Sequence, residues 1–216
     1  MAQKDSSMKF DTNHIIGTYQ LNLNQQCDYL DALLRTTPAA TPENEVLLEK
    51  YRQRLERKGA FWNEEELKMR FIAFLFDYVD IEKDGEIEIF FERTLTASLQ
   101  GVKQNVKCDC LLARPFGIYE PQVPYFFLQE FKKQKQKQNE DAEGQMLLAM
   151  LLAQQINNNQ KPLYGCFLQG KYWVFSVLHG NNYCISRTYE VTRREDLMQV
   201  VFILRNLKHI ILTELL

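Results

Sequence analysis

A helical pattern at 145–157 that is apolar nearly all round constrains this chain more than any other feature. Met146, Leu147, Leu148, Met150, Leu151 and Leu152 leave it no continuous polar face, so it has to be buried. Strand-like segments stand on both sides of it in the chain. Upstream are 86–92, 94–100, 105–113 and 125–132; downstream are 163–169, 172–178 and 183–190. Turn signals at Asp84-Gly85, Gly170-Lys171 and Gly180-Asn181-Asn182 separate them. This order predicts an α/β (α+β) fold of three layers, a mixed central β-sheet flanked by helices.

Further helices are expected at both ends. Residues 20–58 read as two helices broken at Thr37-Pro38-Ala39-Ala40-Thr41-Pro42, the second (43–58) carrying a narrow apolar stripe of Val46, Leu47, Tyr51 and Leu55. Such a charged helical arm suits an appended layer or a contact surface. We therefore divide the chain into an N-terminal helical arm, 1–58, and a domain, 59–216. That domain opens with a capping-box pattern, Asn63 with Glu66 three residues on, followed by Leu67, Phe71, Phe74, Leu75 and Tyr78 at helical spacing. In its first turn Glu64 falls on the inward face and Glu65 on the outward one. An amphipathic helix, 193–216, closes the chain.

Two of the strand-like runs carry chemistry. Asp109 lies in the run 106–112, and Glu130-Phe131-Lys132 ends the run 125–132. Strand side chains alternate, so Phe126, Leu128, Glu130 and Lys132 share a face. Two acids and a lysine on neighbouring strands would gather a hard divalent cation beside a positive charge, which is what phosphodiester cleavage needs. The other two E-x-K triplets, Glu56-Arg57-Lys58 and Glu66-Leu67-Lys68, fall in helical patterns and are expected to be solvated.

This arrangement resembles the PD-(D/E)XK nuclease superfamily over residues 63–169, most closely a divergent bacterial branch, with Cys108 where the name-giving pattern often has proline. The resemblance implies a restriction-endonuclease-like core and a Mg²⁺- or Mn²⁺-dependent nuclease acting on nucleic acid, with DNA as the expected substrate. It makes Asp109, Glu130, Lys132 and Gln145 catalytic and assigns Asp109, Glu130 and Glu64 to the metal. Gln145 would position Lys132 or a backbone phosphate. Lys133, Lys135 and Lys137, interleaved with glutamines, would contact phosphates without reading sequence. Many nucleases that cut both strands are dimers, so a homodimer, or a protein partner on the arm, is also expected. The alternative is a catalytically silent nuclease-like subunit that regulates a larger bacterial complex.

Other classes are disfavoured. At a net charge of −2 the chain is no polycation, so nucleic-acid contacts must come from local clustering. The longest apolar run, 146–153, is far short of the ~20 residues a membrane span needs, and residues 1–5 lack the apolar stretch of a signal peptide. Five cysteines without scaffold spacing suggest reduced thiols and a cytoplasmic setting. Cys108 and Cys110 should both point away from Asp109 as core residues, with no second pair to complete a zinc site. No G-x-S-x-G, phosphate-binding glycine loop or H-E-x-x-H is present.

Overall fold

The structure is a computed structural model that describes residues 10–35, 45–117, 120–132 and 141–216, with Leu128 described in its backbone alone. Helix α1 (Thr12–Tyr19), strand β1 (Asn22–Asn24), helix α2 (Asp28–Leu34) and helix α3 (Glu45–Lys58) come first. A 3-10 turn (Gly59–Phe61) leads into α4 (Glu64–Leu67), a π-helical turn (Lys68–Ile72) and α5 (Ala73–Val79), one continuous helical run. Three long strands follow: β2 (Glu88–Leu99), β3 (Val102–Phe116) and β4 (Glu120–Lys132). Then come α6 (Ala142–Asn157), β5 (Leu163–Gln169), β6 (Tyr172–His179), β7 (Asn182–Ile185), β8 (Tyr189–Glu190) and α7 (Arg194–Ile210).

Among the described residues the strands form one eight-stranded sheet in the order β1-β7-β6-β5-β4-β3-β2, with β8 beside β6. The β4–β5 and β1–β7 pairs are parallel and the others antiparallel, so the sheet is mixed. Joining two parallel strands takes a crossover, and α6 supplies it between β4 and β5. It packs with α1 on one face of the sheet, while α2, α3, α4–α5 and α7 cover the other. Residues 142, 144 and 146–153 of α6 are buried, as a helix without a polar face requires. No described helix is long and apolar enough to cross a membrane.

Both ends of α6 are pinned. Asp141 caps it by accepting from Gly144 N at 2.8 Å, and its other oxygen accepts from Thr12 N and Thr12 Oγ1, both at 2.8 Å. A Cβ at Gly144 would stand 1.7 Å from Phe10 O, so only glycine lets the start of α1 approach this turn. At the far end Asn157 exchanges two 2.8 Å hydrogen bonds with the Tyr125 backbone.

Several elements differ from the sequence reading. Where helices alone were expected near the N-terminus, residues 22–24 form an edge strand on β7. The buried positions of α3 are Leu48 and Leu55; Val46 is 83% exposed, and Tyr51 stacks on Phe74 at 3.4 Å. Segments 86–92 and 94–100 belong to one strand, β2.

That strand holds the main irregularity of the sheet. Ile89 and Phe91 of β2 pack toward the α5–α7 core, yet Leu95, Ala97 and Leu99 pack toward the α6 core. On β3, Cys110 and Leu112 likewise face the first core, and Val106 and Cys108 the second. Strict alternation would keep residues of one parity together. The exchange falls between the pairs Phe91–Cys110 and Arg93–Cys108, where Glu92, at φ 58°, stands beside Asp109. Cys108 and Cys110 therefore lie on opposite faces, which corrects the expectation that both sulfurs point the same way.

Candidate metal centre

Three elements bring the site together. Asp109 sits on β3 beside Glu130 of β4, one step past the Cys110–Gln129 pair, and Lys132 is two residues further along β4. Glu64 comes from the first turn of α4. That turn starts at 63 because Asn63 Oδ1 accepts from Glu66 N at 2.8 Å while Glu66 Oε2 accepts from Asn63 N at 3.1 Å. The capped turn directs Glu64 inward and leaves the Glu65 side chain 72% exposed.

Glu64, Asp109 and Glu130 each offer a carboxylate oxygen, all within 4.8 Å of one another. Lys132 Nζ donates to Glu130 Oε1 at 2.5 Å and reaches Glu64 Oε1 at 3.5 Å. Asp109 Oδ2 accepts from Phe131 N at 2.8 Å, so the backbone of the E-x-K strand fixes the aspartate. The second oxygen of Glu130, Oε2, is buried and has no hydrogen-bond partner among the described residues.

Charge is unbalanced here. Burial pushes Glu130 well above the usual carboxylate range, and the neighbouring Asp109 adds to this against the pull of Lys132. Burial also raises Asp109 and Glu64, although Phe131 N and Lys132 oppose it. For Lys132, burial works to lower the pKa, but Glu130, Glu64 and Asp109 outweigh it and hold the ammonium protonated. Among the described residues these three crowded carboxyls have one ammonium, Lys132, in contact and cannot all ionise comfortably until another positive charge arrives.

The centre opens into a cleft of about 510 Å³ lined by Asn63, Glu64, Glu65, Glu92, Lys107, Asp109 and Gln145. Gln145 thus stands at the site, but its Nε2 donates to Lys107 O at 3.1 Å, so it braces β3 rather than Lys132. Lys133, Lys135 and Lys137 lie outside the described residues.

A second charged cluster was not legible as part of the site. Lys68, expected in solvent, is only 6% exposed. Its Nζ donates to Glu92 Oε1 at 2.8 Å and to Glu65 Oε1 at 3.0 Å, and it lies 5.6 Å from the centroid of the Phe131 ring. Lys107 pairs with the other oxygen of Glu92. The Lys107 and Lys68 hydrogen bonds hold Glu92 down at about 2. The sequence did signal Lys68, which shares a helical face with Phe71, Ile72 and Leu75 at i+3, i+4 and i+7.

Compared with profiles of known protein families and with curated proteins, the chain matches none.

Proposed function

We propose that the protein is a divalent-metal-dependent nuclease that hydrolyses phosphodiester bonds of nucleic acid, with DNA as the favoured substrate. The observation that carries this is the convergence of Glu64, Asp109 and Glu130, one of them with a buried, unpartnered oxygen, around the Lys132 ammonium. The donor set fits Mg²⁺ or Mn²⁺, since all three groups are hard oxygen ligands and such ions keep several waters. The order of α4–α5, the β2–β3–β4 meander, α6 and β5 also supports a restriction-endonuclease-like core and the likeness to PD-(D/E)XK nucleases.

In this reading Asp109, Glu130 and Glu64 hold the ion, which when bound polarises the scissile phosphate and lowers the pKa of a water. The protein supplies the rest. Phe131 N keeps Asp109 aimed at the centre. Lys132, held protonated by its acidic neighbours, donates to a phosphate oxygen as charge grows on it. Its bond to Glu130 Oε1 fixes that ammonium beside the metal ligands before substrate arrives. Gln145, through Lys107 O, keeps the β3 backbone in place next to Asp109.

The test is a cleavage assay on single- and double-stranded DNA and RNA with Mg²⁺, Mn²⁺ or EDTA. Wild type should cut only with metal, and Asp109→Asn and Lys132→Ala should both lose the activity. If metal binds in an Asp109-dependent way and no nucleic acid of any form is cut, the enzyme reading fails. The chain is then read as a nuclease-like interaction subunit.

A further inference from the structure

A second cavity, of about 440 Å³, lies on the other side of the α6 N-terminus, lined by Phe167, Val174, Tyr172, Thr188, Gln169, Asp141, Ala142 and Glu143. Sheet register ties it to the metal centre. Glu130 pairs with Phe167, and Phe167 with Val174; Lys132 pairs with Gln169, and Gln169 with Tyr172. The metal centre and this cavity therefore occupy the same two cross-strand rows. Tyr172 stands two strand spacings of about 4.8 Å from Lys132. That is the reach from a phosphate across its sugar to the attached base.

The chemistry changes along these rows. At the metal centre they carry acids and an ammonium; in the cavity they carry two aromatic rings, Val174 and Gln169. Tyr172 is 38% exposed, and Phe167 is partly buried against the α6 core. The charged groups lining the cavity among the described residues are Asp141 and Glu143, which repel a phosphate; Lys171, paired with Glu190, sets its Nζ 5.2 Å from the Tyr172 ring centroid. The Tyr183 hydroxyl donates to Glu143 Oε1 at 3.0 Å and anchors that carboxyl in the cavity wall. An aromatic platform beside a fixed acceptor suits a planar heterocycle that carries N–H groups.

We infer that the cavity between Tyr172, Phe167 and Glu143 is a nucleobase subsite, taking the base next to the scissile phosphate from an unpaired strand. The inference rests on the nuclease reading for the position of that phosphate. A base seated on Tyr172 has left its duplex stack, so the substrate is single-stranded at the cut or gives up one flipped nucleotide.

Two arms test it. In the first, single-stranded oligonucleotides carrying one abasic nucleotide at successive positions around the cut are cleaved with Mg²⁺. Removing one flanking base should slow wild type about tenfold or more, the scale of losing one base–aromatic stack. Tyr172→Ala should cut intact and abasic strands alike, and Tyr172→Phe should restore the preference. In the second arm, the four nucleoside 5′-monophosphates are titrated in EDTA and read by saturation-transfer NMR. Base protons should be saturated by wild type and Tyr172→Phe but not by Tyr172→Ala. An abasic scan without effect in a protein that cuts, or a preference kept in full by Tyr172→Ala, overturns the subsite. If nothing is cut but nucleotides bind through Tyr172, the subsite stands and the nuclease reading falls. If nothing is cut and nothing binds, both fall.

Discussion

Glu92 and Asp109 stand side by side on neighbouring strands in the same cleft, yet their surroundings drive them in opposite directions. Glu92 has an ammonium on each oxygen and is held down at about 2. Asp109 shares the Lys132 ammonium with Glu64 and Glu130, feels Lys68 only at longer range, and burial raises all three carboxyls. The Glu92 cluster has its counter-charges built into the fold, while the Asp109 cluster, among the described residues, is short of one. The difference suggests a division of labour in which the Lys68–Glu92–Lys107 cluster fixes the cleft wall and the carboxyl trio waits for a cation.

Substituting a lysine from each cluster should give the largest contrast. Under the proposed nuclease function Lys132→Ala removes the ammonium that would meet the developing phosphate charge, and cleavage should fall about 100- to 1000-fold. Lys107 is 60% exposed and bound to an acid that keeps Lys68, so Lys107→Ala should change the rate about threefold or less. Single-turnover rates at saturating Mg²⁺ measure both. Comparable losses in the two variants would merge the clusters into one catalytic unit.

Stability should show the same asymmetry. Glu130→Gln removes a buried charge that the metal-free fold accommodates poorly. Lys132 keeps Glu64 and Asp109 as counter-charges, so stripping Glu130 from the pair does not leave its ammonium alone, and relief of carboxyl crowding should make the metal-free variant melt no lower than wild type. Mg²⁺ should raise the Tm of wild type, and the variant should lose most of that increase. A metal-free Glu130→Gln protein that melts below wild type at pH 8 would show that the Glu130–Lys132 bond outweighs the cost of burying the charge.

The pH dependences have opposite signs. In the trio the folded pKa values lie above the ordinary carboxylate value, so the folded protein binds more protons than the unfolded chain. Metal-free stability attributable to these groups is then greatest below about pH 4 and falls as pH rises through the folded values. Mg²⁺ should restore it, with an effect that grows with pH because binding displaces protons. Glu92 behaves the other way, its contribution being present above about pH 4.5 and lost as pH falls toward 2. Melting curves from pH 3 to 8, with and without Mg²⁺, separate the two. A Mg²⁺ effect that does not change with pH would contradict the raised pKa values.

How much of this was legible depends on how local each determinant is. Asp109, Glu130 and Lys132 could be placed because strand alternation and neighbouring runs are local signals, and Glu64 because Asn63 and Glu66 mark where its helix starts. β1 gave no such signal. Asn22–Asn24 is exposed throughout and becomes a strand only because β7 offers an edge. Arg93 looked like a break between two strands, since charged residues weaken a strand pattern. The pairing with β3 shows a single strand whose faces exchange there. Gln145 was expected at the cleft only from the resemblance to PD-(D/E)XK nucleases, and which group its amide meets depends on how β3 and α6 pack.

The exchange of faces at Glu92 can itself be broken. A non-glycine residue at φ 58° costs about 1–2 kcal/mol, and here the ion pairs with Lys68 and Lys107 offset it. Glu92→Ala and Glu92→Gly both remove those pairs, so the difference between them isolates the backbone. Glycine adopts this conformation without the steric cost but loses more chain entropy on folding. Glu92→Gly should therefore be more stable than Glu92→Ala by about 0.5–1 kcal/mol, measured by chemical denaturation at pH 7. If alanine is as stable as glycine, position 92 relaxes to ordinary strand geometry once its carboxylate is gone. The two lysines, rather than the chain, would then be what turns Glu92 toward the cleft.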